Sequence, residues 1–285
     1  MPSTVQEALR RASLQLQAAG LQQPRREAEA LLCAMLKRPL AWIYAHGEYV
    51  LSAAEETLFG AWVRRRARHE PYAYITGERE FMGLSFLVTR DVLIPRPETE
   101  ILVETAVALL KEKAEPRILE IGVGSGAVAV SLAVFLPTAT VVGVELSAAA
   151  LEVAGQNARR HQVNERLSFL HGDLYAPVAG RFFDLVVSNP PYIPSVQLPQ
   201  LAETVKNYEP MLALDGGADG LHFYRRLNGE LSQLATPPPF FLLEVGQGQA
   251  EPVARLCRQA GFKQIEKIPD LAGIERVILA RLEPQ

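Results

Sequence analysis

Residues 117–126 read Arg117-Ile118-Leu119-Glu120-Ile121-Gly122-Val123-Gly124-Ser125-Gly126, an apolar run that breaks into three alternating glycines. The run has the length and apolar content of a buried strand, and the apolar stretch Ser125–Leu136 behind it predicts a helix. Glycines between the two let the backbone turn tightly and approach a ligand with no Cβ in the way. A second strand, Thr140–Glu145, ends on an acid about twenty residues past the loop, where a carboxylate can accept both hydroxyls of a ribose. Strand, glycine turn, helix and acid-tipped strand open a nucleoside-binding α/β fold.

Working outward, the alternation continues downstream. Ala148–His161 is predicted helical, Arg166–Leu170 and Phe183–Ser188 are strands, and a helix lies within Gly220–Leu234. Strand Phe240–Val245, helix Gln249–Ala260 and two strands joined without a helix, Phe262–Ile268 and Arg276–Leu282, close the chain. Seven strands in this pattern imply a mostly parallel Rossmann-like sheet covered on both faces, with an antiparallel edge. Upstream the texture differs. Val5, Leu9, Ala12, Leu16 and Ala19 recur at helical spacing before Gly20, and Pro24 opens a second apolar stripe. Ser52 with Glu55 forms a capping box before a third helix. Three short amphipathic helices imply a small bundle over 1–75. Pro71–Gly77 reads as extended or turning, and Phe81–Thr89, with Gly83 inside it, as a hairpin. The expected division is a helical recognition domain at 1–75, a β-hairpin linker at 76–92 and the α/β domain at 93–285.

Composition narrows the class. The 285 residues are 48% hydrophobic and 21% charged, which suits a globular chain and excludes disorder. The longest apolar stretch, Ala127–Leu136, falls well short of the ~20 residues of a membrane span. The N-terminus shows no basic-then-apolar leader, so a cytoplasmic protein is expected. Cys33 and Cys257 supply no disulfide framework, and the five histidines show no metal-ligand spacing, so no metal is expected. A net charge of -3 weighs against coating nucleic acid by bulk charge, and no direct nucleic-acid binding is expected. The charge is uneven: residues 1–75 carry +3 and the remainder -6. The run Arg64-Arg65-Arg66-Ala67-Arg68-His69 reads as a solvated helix face.

The loop Gly122, Val123, Gly124, Ser125 and Gly126, with Glu145, points to a nucleoside-containing cofactor; Gly122-x-Gly124-x-x-Ala127 also satisfies the looser NAD fingerprint. Two details favour S-adenosyl-L-methionine. Glu120, just before the first glycine, suits a cationic amino-acid end rather than a pyrophosphate. In Gly172-Asp173-Leu174, Asp173 can accept from an adenine amino group and Leu174 can pack on the ring.

Asn189-Pro190-Pro191-Tyr192 follows the strand ending at Ser188, on the sheet edge where open α/β folds bind ligands. Two prolines fix the backbone and direct the Asn189 side chain and the Pro190 carbonyl to one point. Both are acceptors, and a planar NH2 group has two protons to give them. Held so, its nitrogen turns its face to a methyl donor, and Tyr192 can pack on the flat group. Positioning and electrostatics carry such a transfer without a covalent intermediate. A structural turn would explain the prolines but not the Asn and Tyr around them.

With this glycine loop, Asn-Pro-Pro-Tyr resembles methyltransferases acting on amino groups of adenine, guanine or glutamine amides. Leu93-Ile94-Pro95-Arg96-Pro97-Glu98-Thr99-Glu100 and Tyr208-Glu209-Pro210-x-x-Ala213-Leu214-Asp215-Gly216-Gly217-x-Asp219-Gly220-Leu221 narrow the resemblance to the HemK/PrmC family. These are the peptide chain release factor glutamine N5-methyltransferases, class I S-adenosyl-L-methionine-dependent enzymes. The resemblance covers nearly the whole chain. It implies the Gly-Gly-Gln glutamine of class I release factors as methyl acceptor and S-adenosyl-L-homocysteine as product. Asn189, Pro190 and Tyr192 carry the catalytic assignment, and Asn189 also borders the cofactor. Pro191 and Arg96 join the substrate side. Glu145 stands where the family usually has Asp, and Leu174 where an aromatic is common. By chemistry alone Arg96 suits a structural salt bridge equally well. The rivals are the sister class methylating a ribosomal-protein glutamine, a DNA or RNA amino-methyltransferase, and an NAD enzyme or non-catalytic nucleotide-binding module. A monomer is expected.

Overall fold

The structure, a computed structural model, describes residues 3–283; Met1, Pro2, Pro284 and Gln285, at the ends of the two expected domains, lie outside the described residues. In chain order it contains α1 (Val5–Ala18), α2 (Pro24–Leu36), α3 (Leu40–Ala45), α4 (Ala53–Arg66), α5 (Tyr72–Thr76), β1 (Glu78–Phe81) and β2 (Leu84–Leu87). Then come α6 (Glu100–Leu110), β3 (Arg117–Ile121), α7 (Ala127–Phe135), β4 (Thr140–Glu145), α8 (Ala148–Arg160), β5 (Leu167–His171) and β6 (Leu185–Ser188). The chain closes with α9 (Glu203–Lys206), α10 (His222–Gly229), β7 (Phe240–Glu244), α11 (Ala250–Gln259), β8 (Gln264–Pro269) and β9 (Glu275–Arg281). Two compact units result, 1–78 with 202–208, and 79–201 with 209–285.

The smaller unit is helical. Thr4 with Glu7 and Ser52 with Glu55 form reciprocal capping boxes at α1 and α4, each cap worth about 1 kcal/mol. Val5, Leu9 and Leu16 of α1, Leu31 and Leu32 of α2, and Phe59 and Val63 of α4 bury the stripes read from sequence into one core. Pro71–Gly77 is a short helix rather than an extended turn: Pro71 starts α5, and Gly77, at φ +79°, stops it. The basic run is not a uniform solvated face. Arg65 forks onto Glu70 at 2.8 and 2.8 Å, and Arg66 onto Glu27 at 2.8 and 2.9 Å; Arg64 and Arg68 are exposed. Within this unit, the Tyr208 hydroxyl donates to the Arg68 carbonyl at 2.5 Å.

The larger unit is built on a seven-stranded sheet in the order β5-β4-β3-β6-β7-β9-β8, parallel except for β9. The last strand inserts between β7 and β8, so the edge strand is β8. Both sheet faces are buried, which is why β3, β4, β6 and β7 read as nearly continuous apolar runs. One face packs against α6 and α7, the other against α10 and α11. The hairpin β1–β2 differs from the expected independent linker. Phe81 and Phe86 are fully buried in the core with α6 and α7, and the Asn157 side chain of α8 takes both the N–H and the carbonyl of Leu87. That burial makes residues 79–92 part of the larger unit. No helix among the described residues is long and apolar enough to cross a membrane.

Candidate active site

Chain direction across the sheet reverses at β3, whose neighbours β4 and β6 continue it on opposite sides. At such a switch point the loops beyond the strand ends part and leave a crevice. A pocket opens there, lined from the first loop by Glu120 and Gly122 to Ser125, and from β4 by Glu145. Gly172 to Leu174 follow β5, Asn189 to Pro191 follow β6, and Arg96 and Thr99 precede α6.

Gly126 starts α7 at φ +80°, and a Cβ there would stand 3.1 Å from the Ala154 Cβ, so the helix can begin this close to α8 only with glycine. Glu145 holds the loop from the side. Its Oε2 accepts from the Gly124 N–H at 3.0 Å and its Oε1 from the Ser147 N–H at 2.9 Å. A carboxylate has about four lone-pair sites, so two backbone donors leave room for more. Glu120 is buried, and its Oε2 accepts from the Ala129 N–H at 2.9 Å. Burial pushes its carboxyl well above the ordinary value; the Ala129 N–H opposes this and nearby Glu145 adds to it. No cation is paired with Glu120 among the described residues. A buried carboxylate facing a pocket without a counter-charge fits a cationic ligand.

Asp173 has a partner that sequence reading did not foresee: Arg226 of α10 grips it at 2.9 and 3.1 Å. Its oxygens are thus shared between that guanidinium and the pocket it borders. Leu174 is buried at φ +46°. Phe223 and Leu227, on the same helix as Arg226, also line the pocket. Phe223 supplies an aromatic wall that position 174 lacks, and only the folding of α10 over the pocket reveals it.

The tetrad is held from several sides. Ser188 donates to the Ile121 carbonyl at 2.7 Å, tying the end of β6 to β3. Asn189 donates through Nδ2 to the Thr99 hydroxyl at 3.1 Å, and its Oδ1 has no hydrogen-bond partner among the described residues. From sequence Thr99 stands only within Arg96–Glu100, the stretch that the family resemblance places at the active-site wall, with no role of its own. Tyr192 does not line the pocket. Its ring is half-buried, packed against the core beside Gly246, and burial raises its hydroxyl to about 12. Arg96 lines the pocket while paired with Glu209 at 2.5 Å; Glu209 also accepts from the Ile94 N–H at 3.2 Å. The salt-bridge reading of Arg96 and its place in the pocket wall therefore coexist.

The segment Leu214–Gly220 buttresses the residues after the tetrad. Ile193 N–H donates to the Leu214 carbonyl, Gly216 N–H to the Ile193 carbonyl, and Ser195 N–H to the Gly217 carbonyl. The Gln249 amide donates to the Tyr192 carbonyl at 2.9 Å. A Cβ on Gly220, at φ +75°, would meet that same carbonyl oxygen at 2.4 Å.

Similarity to known proteins follows this geometry. The PrmC N-terminal domain family matches residues 7–77, and the methyltransferase small domain family matches residues 97–208. A release factor glutamine methyltransferase from Geobacter sulfurreducens is 43% identical, over 92% of this chain and 91% of its own. One from Moorella thermoacetica is 42% identical over 97% and 98%. The crystal structure of a methyltransferase from Pyrococcus furiosus shares the fold, with a TM-score of 0.51 at 19% identity, over 76% of this chain and 98% of its own. At more than two-fifths identity along almost its full length, this chain belongs to the release factor glutamine methyltransferase family.

Proposed function

We propose that this protein transfers a methyl group from S-adenosyl-L-methionine to the side-chain amide nitrogen of the glutamine in the Gly-Gly-Gln motif of class I peptide chain release factors. Its curated relatives are named release factor glutamine methyltransferases. The observation that carries the reading is the state of Asn189: its donor end is tied to Thr99 and its acceptor end is left to the pocket.

When bound, S-adenosyl-L-methionine supplies a methyl group on a cationic sulfur that departs as a neutral thioether. The chain's own residues do the rest. Gly122 to Gly126 bring backbone close to the cofactor, Glu145 accepts from the ribose hydroxyls, and Glu120 offsets the cationic amino-acid end. Asp173 and Leu174 border the adenine. Asn189 Oδ1 accepts one proton of the substrate amide and the Pro190 carbonyl the other. This aims the nitrogen's face at the methyl group and favours pyramidalisation, which restores nucleophilicity to a lone pair otherwise shared with a carbonyl. Once the N–C bond has formed, one of the two protons passes to water. Pro191 and Arg96 wall the substrate side, and Tyr192 acts from behind the pocket by fixing the tetrad's path. The helical unit recognises the release factor.

Peptide mass spectrometry of a release factor incubated with enzyme and S-adenosyl-L-methionine tests the reading. One added methyl on the Gly-Gly-Gln glutamine is the expected result. A release factor left unmodified, or modified elsewhere, would overturn it.

A further inference from the structure

Arg226 does not line the pocket, and the function above gives it no task, yet its guanidinium is held from two sides. Its Nη1 and Nη2 donate to Asp173 Oδ1 and Oδ2 at 3.1 and 2.9 Å, and its Nε donates to Glu230 Oε1, one turn along the chain, at 2.8 Å. Gln233 steadies Glu230 in turn, donating to its Oε2 at 3.1 Å. A guanidinium caught between two acids has one plane left to it, and a fork passes that plane to the carboxylate it grips. Asp173, half-exposed at the pocket wall, is therefore held in one orientation.

The same helix is fastened to the same turn a second time. The Tyr175 hydroxyl donates to the Leu227 carbonyl at 2.9 Å, and Leu174, Tyr175, Tyr224 and Leu227 share one buried core. Between the two fastenings, Leu174 sits at φ +46°. A bulky side chain keeps such a conformation only where its surroundings over-determine it, and such positions gather at ligand clamps. The Gly172 N–H donates to the Glu145 carbonyl at 3.0 Å, so the turn starts beside the acid assigned to the ribose. Phe223, one turn before Leu227, is half-buried in the pocket wall, and the His222 ring stands edge-on to it at 5.2 Å. Turn and helix together bring an oriented carboxylate and an aromatic ring to the pocket.

Building on the proposed function, we propose that Arg226 is a positioning residue that aims Asp173 at the 6-amino group of the cofactor's adenine, while Phe223 packs on the ring. A forked carboxylate is acceptor-only: each oxygen spends one lone pair on Arg226 and keeps another for the pocket. It takes an N–H from a 6-amino purine. A 6-oxo purine would set lone pairs against lone pairs at that atom, so the fork selects the amino base. Phe223 contributes through its ring face, and every base has one, so its contribution is blind to that difference. A partly exposed ion pair adds little to stability by itself. Removing the fork therefore disturbs the aim of Asp173 before it disturbs the fold.

Calorimetry on the full chain, with S-adenosyl-L-homocysteine and with its 6-oxo counterpart carrying hypoxanthine in place of adenine, tests this. The wild type should prefer the adenine compound by about tenfold to a hundredfold, as a hydrogen bond to a charged group gives. Arg226→Gln should weaken the adenine compound by about tenfold and leave the 6-oxo compound nearly unchanged, so that the preference shrinks. Arg226→Lys keeps the charge without the fork and should fall between the two. Phe223→Ala should weaken both compounds alike, by about tenfold, and Phe223→Tyr should restore them. Equal losses for the two compounds in Arg226→Gln would make the ion pair a structural brace and overturn the proposal. A wild type that binds both compounds equally would overturn it too, as would Phe223→Ala affinities within about twofold of wild type. If Arg226→Gln does not fold, the preference of Arg226→Lys decides. A wild type that binds neither compound would fail the proposed function itself. One that binds and prefers the adenine compound, with the preference intact in Arg226→Gln, fails this inference alone.

Discussion

Glu145 has both carboxylate oxygens on backbone N–H groups, those of Gly124 and Ser147, so it shapes the glycine loop as well as offering lone pairs to a ribose. Glu145→Ala removes both roles. A hydrogen bond to a charged group contributes ~1.5–3 kcal/mol, so cofactor affinity should fall tenfold or more. Calorimetry with S-adenosyl-L-methionine checks it; unchanged affinity would remove Glu145 from the site. At Asn189 the expectation concerns rate. Asn189→Ala should abolish most turnover while the fold and much of the cofactor affinity survive. Asn189→Asp should retain more activity than alanine because a carboxylate still accepts from the substrate. It should stay below wild type because Thr99 loses the Nδ2 donor. Near wild-type kcat in both variants, with cofactor saturating, would make the tetrad a structural turn. Glycines, the acid after them and the tetrad were legible from sequence because each sits at a fixed offset from a strand end. Phe223 was not, and Thr99 was legible only as part of the stretch that carries the family resemblance. Phe223 reaches the pocket from α10, brought there by packing that no local spacing encodes.

Among elements, boundaries were legible where one physical cause set them. β3 and β4 begin and end where the apolar runs predict, and α4 starts at its capping box. Pro71–Gly77 was misread because five residues show too little period to tell a helix turn from a loop. The hairpin was misread as a linker because its two phenylalanines and its bonds to Asn157 find their partners some twenty to seventy residues away. Similarly, the glycines at 216, 217 and 220 carry a family resemblance in the sequence but no visible purpose. Folded, they let the segment beyond the tetrad lie against its backbone. Gly220→Ala should therefore act at a distance: a Cβ 2.4 Å from the Tyr192 carbonyl forces either the tetrad or the loop to move, at a positive φ that disfavours alanine besides. The expected signature is a loss of kcat far exceeding any loss of cofactor affinity, since Gly220 lies outside the pocket wall. Equal losses in the two would show that the loop supports the whole pocket rather than the tetrad.

At the scale of the molecule, every residue that lines the pocket falls between 91 and 227, and all belong to the larger unit. The smaller unit contributes none of them. It has its own core, its own two capping boxes and its own internal ion pairs, and its sequence carries the chain's positive balance. We propose a division of labour, with chemistry in the larger unit and recognition of the protein substrate in the smaller. The sequence disclosed the helical character of the first unit but not that 202–208 belongs with it, because α9 is a single turn set more than a hundred residues downstream. A variant lacking residues 1–78 leaves that segment without the carbonyl of Arg68 that the Tyr208 hydroxyl holds. Such a variant should still bind S-adenosyl-L-methionine, since no pocket residue is removed. It should methylate a short Gly-Gly-Gln peptide at a rate comparable to the full chain's, because the peptide needs only the tetrad and the pocket wall. Methylation of intact release factor should fall sharply, through KM rather than kcat, since what is lost is uniform binding of a large substrate. Turnover of intact release factor as fast as the full chain's would refute a recognition role for the helical unit. Loss of peptide methylation together with cofactor binding would show that the larger unit needs the smaller one to hold its pocket.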